Sequence, residues 1–225
     1  MPVPAAFVRH AARRAGLLLR RGLDLDPAPF LVSGPEELRR RTIGEVGGGR
    51  GGARRLDLAG RPGIWRQNRH GGFAGTLLGA RYLGSERLED EVELSETLLA
   101  HGIPTPEVLL ALAWRPTVFW EQHLVTAEVE DAVTVFAAGG EPAAAAAARE
   151  LIEELFRIGL WAPDLHPGNL LWQSSARRVW LIDLAGCRLL GRPLTESEQA
   201  ARRSRFLRYF RKHAGAVPPP WRGWA

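Results

Sequence analysis

Residues 160–186 read LWAPDLHPGNLLWQSSARRVWLIDLAG, and this stretch decides the fold. Two short apolar runs, NLLW from Asn169 and VWLID from Val179, are joined by the polar QSSARR, a pattern that predicts a β-hairpin. Asn169 directly precedes the first strand and Asp183 ends the second. A hairpin brings its open ends together, so these two residues are expected to face each other. Asp164 reaches the same edge from the loop before. Three oxygen-bearing side chains without sulfur suit Mg²⁺, a hard cation that takes one or two carboxylates, waters and substrate phosphates.

The rest of the chain sets limits on that reading. Its 225 residues make one large domain or two small lobes, and 45% apolar with 24% charged residues is ordinary for a globular chain. Of 30 basic residues one is lysine, Lys212, so chemistry that needs a lysine before it is excluded. A Schiff base, a Walker-type phosphate lysine and the strand lysine of ordinary protein kinases all fall. The formal charge of +5 favours anionic partners. A single cysteine, Cys187, rules out a disulfide framework and suits a reducing, cytoplasmic setting. No apolar run is long enough to span a bilayer, and Gly16–Leu19 is too short for a signal-peptide core.

Along the chain, residues 1–23 carry five arginines and no acid. They read as a basic amphipathic helix, either lying on an anionic membrane or packing on the domain. Residues 24–29 read as a linker. Residues 30–75 look β-rich, with short alternating runs at Arg54–Leu58 and Ile64–Gln67 between glycine turns. SERLEDEVELSETLLAH, residues 85–101, predicts a helix capped by Ser85 and ended by Gly102 and Pro104. EVLLALAW and TVFWEQHLVTAEV read as strands. A second helix starts at Pro142 and stops at Gly159. A third, TESEQAARRSRFLRYFRKH, carries six cations between Arg202 and Lys212, either as a solvated face or to dock anionic headgroups. The tail VPPPWRGWA is expected to be extended. The order gives an α+β, two-lobed chain. It comprises a basic segment and linker over 1–29, a β-rich lobe with one helix over 30–128, and a reduced, mainly helical lobe over 129–225, with a hinge near 124–129.

DLHPGNLLW followed by VWLID resembles the catalytic loop and metal-binding segment of protein-kinase-like enzymes. With GRG at Gly49–Gly51, WRQNRHGG, LLGARYLGSER, the acidic helix and HGIPTPEVLLA in that order, the chain resembles the bacterial lipopolysaccharide kinase family over about residues 42–212. Within it the likeness is to the branch acting on 3-deoxy-D-manno-octulosonic acid (Kdo). The resemblance implies a bilobal protein-kinase-like fold, ATP and Mg²⁺ as cofactors, and phosphorylation of a Kdo hydroxyl in the lipopolysaccharide inner core. Asp164 matches the catalytic aspartate, and Asn169 and Asp183 match the metal ligands. Gly49, Arg50 and Gly51 match the phosphate-cradling turn. Glu91 matches the helix acid that steadies the ATP-phosphate residue, with Glu93 as the alternative. Arg66 stands where protein kinases carry lysine; its guanidinium can grip phosphate bidentately. His166 matches a position that could contact the transferred phosphoryl group as His⁺. The implied partners are a Kdo-bearing lipid and the anionic cytoplasmic face of the inner membrane, and not nucleic acid. The pattern also departs from the family. Ala162 replaces a histidine that supports the loop, and Asp-Leu-Ala replaces the usual metal segment. These departures keep open a pseudokinase scaffold, a protein kinase or another sugar kinase of the same fold.

Overall fold

A computed structural model of the chain describes residues 3–46, 52–68 and 82–224. The chain forms two compact units. One comprises Met1–Glu96 with Glu107–Glu128, the other Thr97–Pro106 with Val129–Ala225.

The first unit is built on a seven-stranded antiparallel sheet in the order β1-β2-β6-β7-β5-β4-β3. Its strands are β1 (Phe7–Ala12), β2 (Ala15–Arg20), β3 (Thr42–Glu45), β4 (Arg54–Leu58), β5 (Arg61–Gln67), β6 (Val108–Trp114) and β7 (Glu121–Ala127). Among the described residues three helices cover it: α1 (Ala28–Ser33), α2 (Pro35–Arg40) and α3 (Glu86–Ala100). Leu17, Leu19, Leu56, Leu58 and Leu112 pack on Phe30 of α1 and Leu38 of α2. Leu18, Val108, Ala111 and Leu124 pack with Leu88 and Val92 of α3. The middle of the sheet is therefore buried on both faces. Gly34 joins α1 to α2 at φ +58°, and a Cβ there would lie 2.4 Å from the Trp114 ring, so no side chain fits.

Two expectations are corrected here. Residues 7–20 form a hairpin, not an amphipathic helix, with β2 paired to β6. Its arginines are bound locally: Arg9 grips Glu89 with two bonds at 3.0 and 2.6 Å, and Arg20 pairs with Glu96 and donates to Val108 O at 2.6 Å. Arg13 and Arg14 alone stand out, at the exposed turn. Residues 28–40, assigned to linker and strand, form two short helices because Phe30 and Leu38 cover one sheet face completely. Of the span expected as a hinge, Leu124–Ala127 belong to β7 and pair with β5, and the two units divide between Glu128 and Val129.

The second unit holds α4 (Pro142–Arg157) and α5 (Glu196–Ala214). With them are a three-stranded sheet, β11-β10-β8, and the short pair β12-β9. The strands are β8 (Ala132–Thr134), β9 (Leu160–Trp161), β10 (Leu170–Gln173), β11 (Arg178–Leu181) and β12 (Arg188–Leu189). Pro104 O accepts from Leu181 N at 2.8 Å and Thr105 Oγ1 donates to Leu181 O at 2.9 Å, so the Gly-Ile-Pro-Thr-Pro turn is laced to β11. α5 begins with a reciprocal capping box between Thr195 and Glu198.

The tail is not extended. Pro219–Trp221 form a 3₁₀ turn, and Trp221 is fully buried against Phe206, Phe210 and Trp224 at ring separations of 4.8, 5.6 and 5.3 Å. Arg149 lies over its ring and donates to Pro220 O. Burying a tryptophan outweighs the local preference of the preceding prolines for polyproline II. Trp221→Ala is expected to cost about 3–5 kcal/mol of stability by leaving a cavity. Denaturant unfolding checks this, and an unshifted midpoint would mean the tail does not pack on α5.

Candidate active site

The second unit carries one cluster. β10 and β11 pair in the register Leu170↔Leu181, and Ile182 N donates to Asn169 O at 3.0 Å. Asn169 therefore stands opposite Ile182, and Asp183 is the first residue beyond the pair rather than its direct partner. Asp183 sits at φ +60°, a left-handed conformation costly for any residue with a side chain. That turn takes the chain out of the strand direction at the point where an exposed carboxylate is needed. Asn169 Nδ2 donates to the backbone O of Asp164 at 3.1 Å, which ties loop to hairpin. Asp164 is exposed, with Oδ2 3.8 Å from His166 Nε2.

His166 caps the turn Pro167–Asn169: its Nδ1 accepts from Gly168 N at 3.1 Å, so the proton resides on Nε2. The ring stacks on Tyr209 at 4.2 Å and 12°. Burial pushes its pKa below the ordinary value, against the pull of Asp164 and Asp183, with Arg205 and His213 adding to the downward push. A neutral, capping ring is what this environment favours, so the expected phosphoryl contact by His⁺ runs against both observations. A Cβ at Gly168 would lie 3.1 Å from the His166 ring and from Tyr209 Oη, so this position too has no room for a side chain without a shift.

Two arginines of α5, not singled out from the sequence, complete the cluster. Arg202 donates to Pro163 O at 3.2 Å, approaches Ala162 O at 3.5 Å and lies 4.4 Å over the Trp161 ring. It supports the loop at the position where Ala162 has replaced the expected histidine. Arg205 donates to Asp164 Oδ1 at 2.6 Å. Arg202, Arg205, Tyr209 and His213 recur at helical spacing on one face, a signal hidden by reading all the cations of α5 together.

The first unit carries the other cluster. Arg66, on β5, pairs with Glu91 of α3 and donates to Asn68 Oδ1 at 2.6 Å. Asn68 Nδ2 donates to Glu91 Oε2 at 3.1 Å. Glu91, Asn68 and Gln122 are all buried, whereas Glu93, the alternative acid, is exposed. Asn68 and Gln122 escaped the sequence reading, because nothing local distinguishes a network amide from a surface one. Gly49, Arg50 and Gly51 lie outside the described residues.

For Mg²⁺, the donor set fits. The Asn169 amide nitrogen is committed to Asp164 O, which leaves its Oδ1 to accept, and Asp183 adds one exposed carboxylate. One carboxylate and one amide oxygen, with water and phosphate, is a usual Mg²⁺ arrangement.

A family model described as "Lipopolysaccharide kinase (Kdo/WaaP) family" matches residues 36–214. Curated relatives include a 3-deoxy-D-manno-octulosonic acid kinase of Xanthomonas oryzae pv. oryzae strain PXO99A, 31% identical over 143 residues, 60% of this chain and 57% of the relative. Its counterpart in Xanthomonas campestris pv. campestris strain B100 is 32% identical over 153 residues, 64% of this chain and 60% of the relative. The chain thus spans under two thirds of the length of these relatives. Two solved structures are similar at 17% identity and a TM-score of 0.54. WaaP in complex with acyl carrier protein is matched over 86% of this chain and 80% of WaaP. The Rio2 kinase-ADP/Mg²⁺-phosphoaspartate complex of Chaetomium thermophilum is matched over 96% of this chain and 68% of Rio2. The fold is protein-kinase-like.

Proposed function

The chain belongs to the lipopolysaccharide kinase (Kdo/WaaP) family, and from that premise we propose that it transfers the γ-phosphoryl group of ATP to a hydroxyl of Kdo in the lipopolysaccharide inner core. The observation that carries the reading is the edge formed by Asp164, Asn169 and Asp183, held together by the Asn169–Asp164 bond and the hairpin register. Asp164 takes the acceptor's hydroxyl proton, the oxygen forms a bond to the γ-phosphorus, and the bond to the β-phosphate oxygen breaks to release ADP. Asn169 and Asp183 would hold Mg²⁺, which when bound neutralises phosphate charge. Arg66, steadied by Glu91 and Asn68, is assigned to the ATP phosphates. His166 shapes the loop as a neutral cap.

Ala162 and Asp-Leu-Ala motivate a pseudokinase as the second reading. Arg202 weakens that argument, because it bonds the loop backbone at Pro163 O and Ala162 O beside the position without histidine. No helix among the described residues is long and apolar enough to cross a membrane. Contact with the cytoplasmic face of the inner membrane is part of the proposal, and exposed Arg208, Arg211 and Lys212 are its candidate cations.

The test is label transfer from γ-labelled ATP with Mg²⁺ to a panel containing Kdo-bearing lipid, a heptose-bearing lipid, free sugars and a protein substrate. Label is expected in the Kdo lipid above the others. Label in protein or another sugar alone would replace the acceptor, and binding of Mg-ATP without transfer to anything would favour the pseudokinase.

A further inference from the structure

Arg205 is an unusual neighbour for a catalytic base. Its Nη2 stands 2.6 Å from Asp164 Oδ1, on a helix whose next two residues, Phe206 and Leu207, are buried and fix its face. The arrangement makes chemical sense when the rest of the guanidinium has another task. Arginine presents five N–H donors in a rigid fork, and among the described residues Arg205 spends one. Its side chain is 47% exposed, so the remaining donors are open to a ligand.

We propose that Arg205 recognises the acceptor by binding its carboxylate while the adjoining hydroxyl is presented to Asp164. This rests on the phosphotransfer reading above and adds to it the residue that selects the acceptor. Two exposed acids, Asp164 and Asp183, repel an anionic acceptor, and a cation beside Asp164 offsets that repulsion where the hydroxyl must dock. The fork shape suits a carboxylate held by two parallel N–H bonds. One hydrogen-bond length on each side of the guanidinium places the bound carboxylate about 5 Å from Asp164 Oδ1. That spacing fits a sugar acid whose reactive hydroxyl lies a few bonds from its carboxyl group.

The experiment compares kcat/KM for Kdo-bearing lipid with that for the same lipid carrying Kdo as its methyl ester, using the full chain with Mg-ATP. The wild-type protein is expected to prefer the acid by about 50-fold, the size of one charge-assisted bidentate contact. In Arg205→Ala the acid-to-ester ratio falls to about 1, with the loss on the acid mainly in KM, and in Arg205→Lys it recovers about tenfold. The KM for ATP is the same in all three. Equal losses on acid and ester would overturn the proposal in favour of a positioning role through Asp164, and so would a wild-type enzyme indifferent to esterification. A dependence on Arg205 that follows the lipid's phosphates instead, tested with a dephosphorylated acceptor, overturns the carboxylate assignment. A wild-type protein that phosphorylates neither lipid sinks the underlying reaction, and the wild-type arm alone distinguishes that result.

Discussion

Asp164→Ala is expected to lower kcat for phosphoryl transfer by about 10³-fold while leaving the protein folded and able to bind Mg-ATP. The size follows from removing the group that accepts the hydroxyl proton. Preserved folding follows from exposure: the Asp164 side chain is 56% accessible and its ion pair with Arg205 is also open to water. Such pairs contribute about 0–1 kcal/mol. Asn169 is held by the backbone O of Asp164, not by its carboxylate, so the hairpin keeps its tie to the loop in the variant. Asp164→Asn refines the test, because it keeps the shape and an acceptor for Arg205 but removes the charge. Unfolding and turnover together separate the outcomes. Lost activity with an unchanged melting curve supports the assignment, and retained activity in Asp164→Ala overturns it.

Arg66→Ala is expected to reduce kcat/KM for ATP by about 10²–10³-fold, since it removes the cation assigned to the phosphates in a chain whose single lysine, Lys212, lies on α5. Here stability should fall as well. Glu91 is buried, with its side chain 3% exposed, and would keep Asn68 as a donor while losing its pair with Arg66. Breaking a fully buried pair costs about 3–5 kcal/mol, and the 24% exposure of Arg66 brings the expectation down to about 1–3 kcal/mol. Arg66→Lys keeps the charge on a different shape and should recover part of the ATP affinity. If Arg66→Ala loses stability but keeps its KM for ATP, the pair is structural and the ATP contact lies elsewhere.

The meeting of Asp164, Asn169 and Asp183 at one edge was legible because these residues are close in sequence. Loop, hairpin and terminal aspartate span about twenty positions, and turn chemistry sets their approach. The acidic helix was legible for the same reason, and its spacing to the Gly-Ile-Pro-Thr-Pro turn favoured Glu91, which is buried. What escaped was non-local. The strand Ala15–Arg20 contains Leu17, Leu18 and Leu19, all buried, because helices cover both faces of the sheet. Burial on both sides erases the period-two pattern that marks a strand. Its partner β6 begins some ninety residues later, so arginine spacing won by default and suggested a helix. The arginines themselves were counted as free charge, yet Arg9, Arg20, Arg202 and Arg205 each bind a particular acid or carbonyl. Pairing of that kind depends on tertiary neighbours. The lone lysine proved informative in the opposite way. It excluded one chemistry outright and left arginine as the available strand cation, and Arg66 stands on β5 joined to Glu91.

Most rests on the role of Asp164, set beside Asn169 and Asp183, in phosphoryl transfer to a Kdo hydroxyl. Mass spectrometry of Kdo-bearing lipid after incubation with Mg-ATP and either wild-type protein or Asp164→Asn tests it most directly. The account predicts one added phosphoryl group on the Kdo residue with the wild type and none with the variant. Equal phosphorylation by both, or an unmodified lipid beside a wild-type protein that binds Mg-ATP, would contradict it.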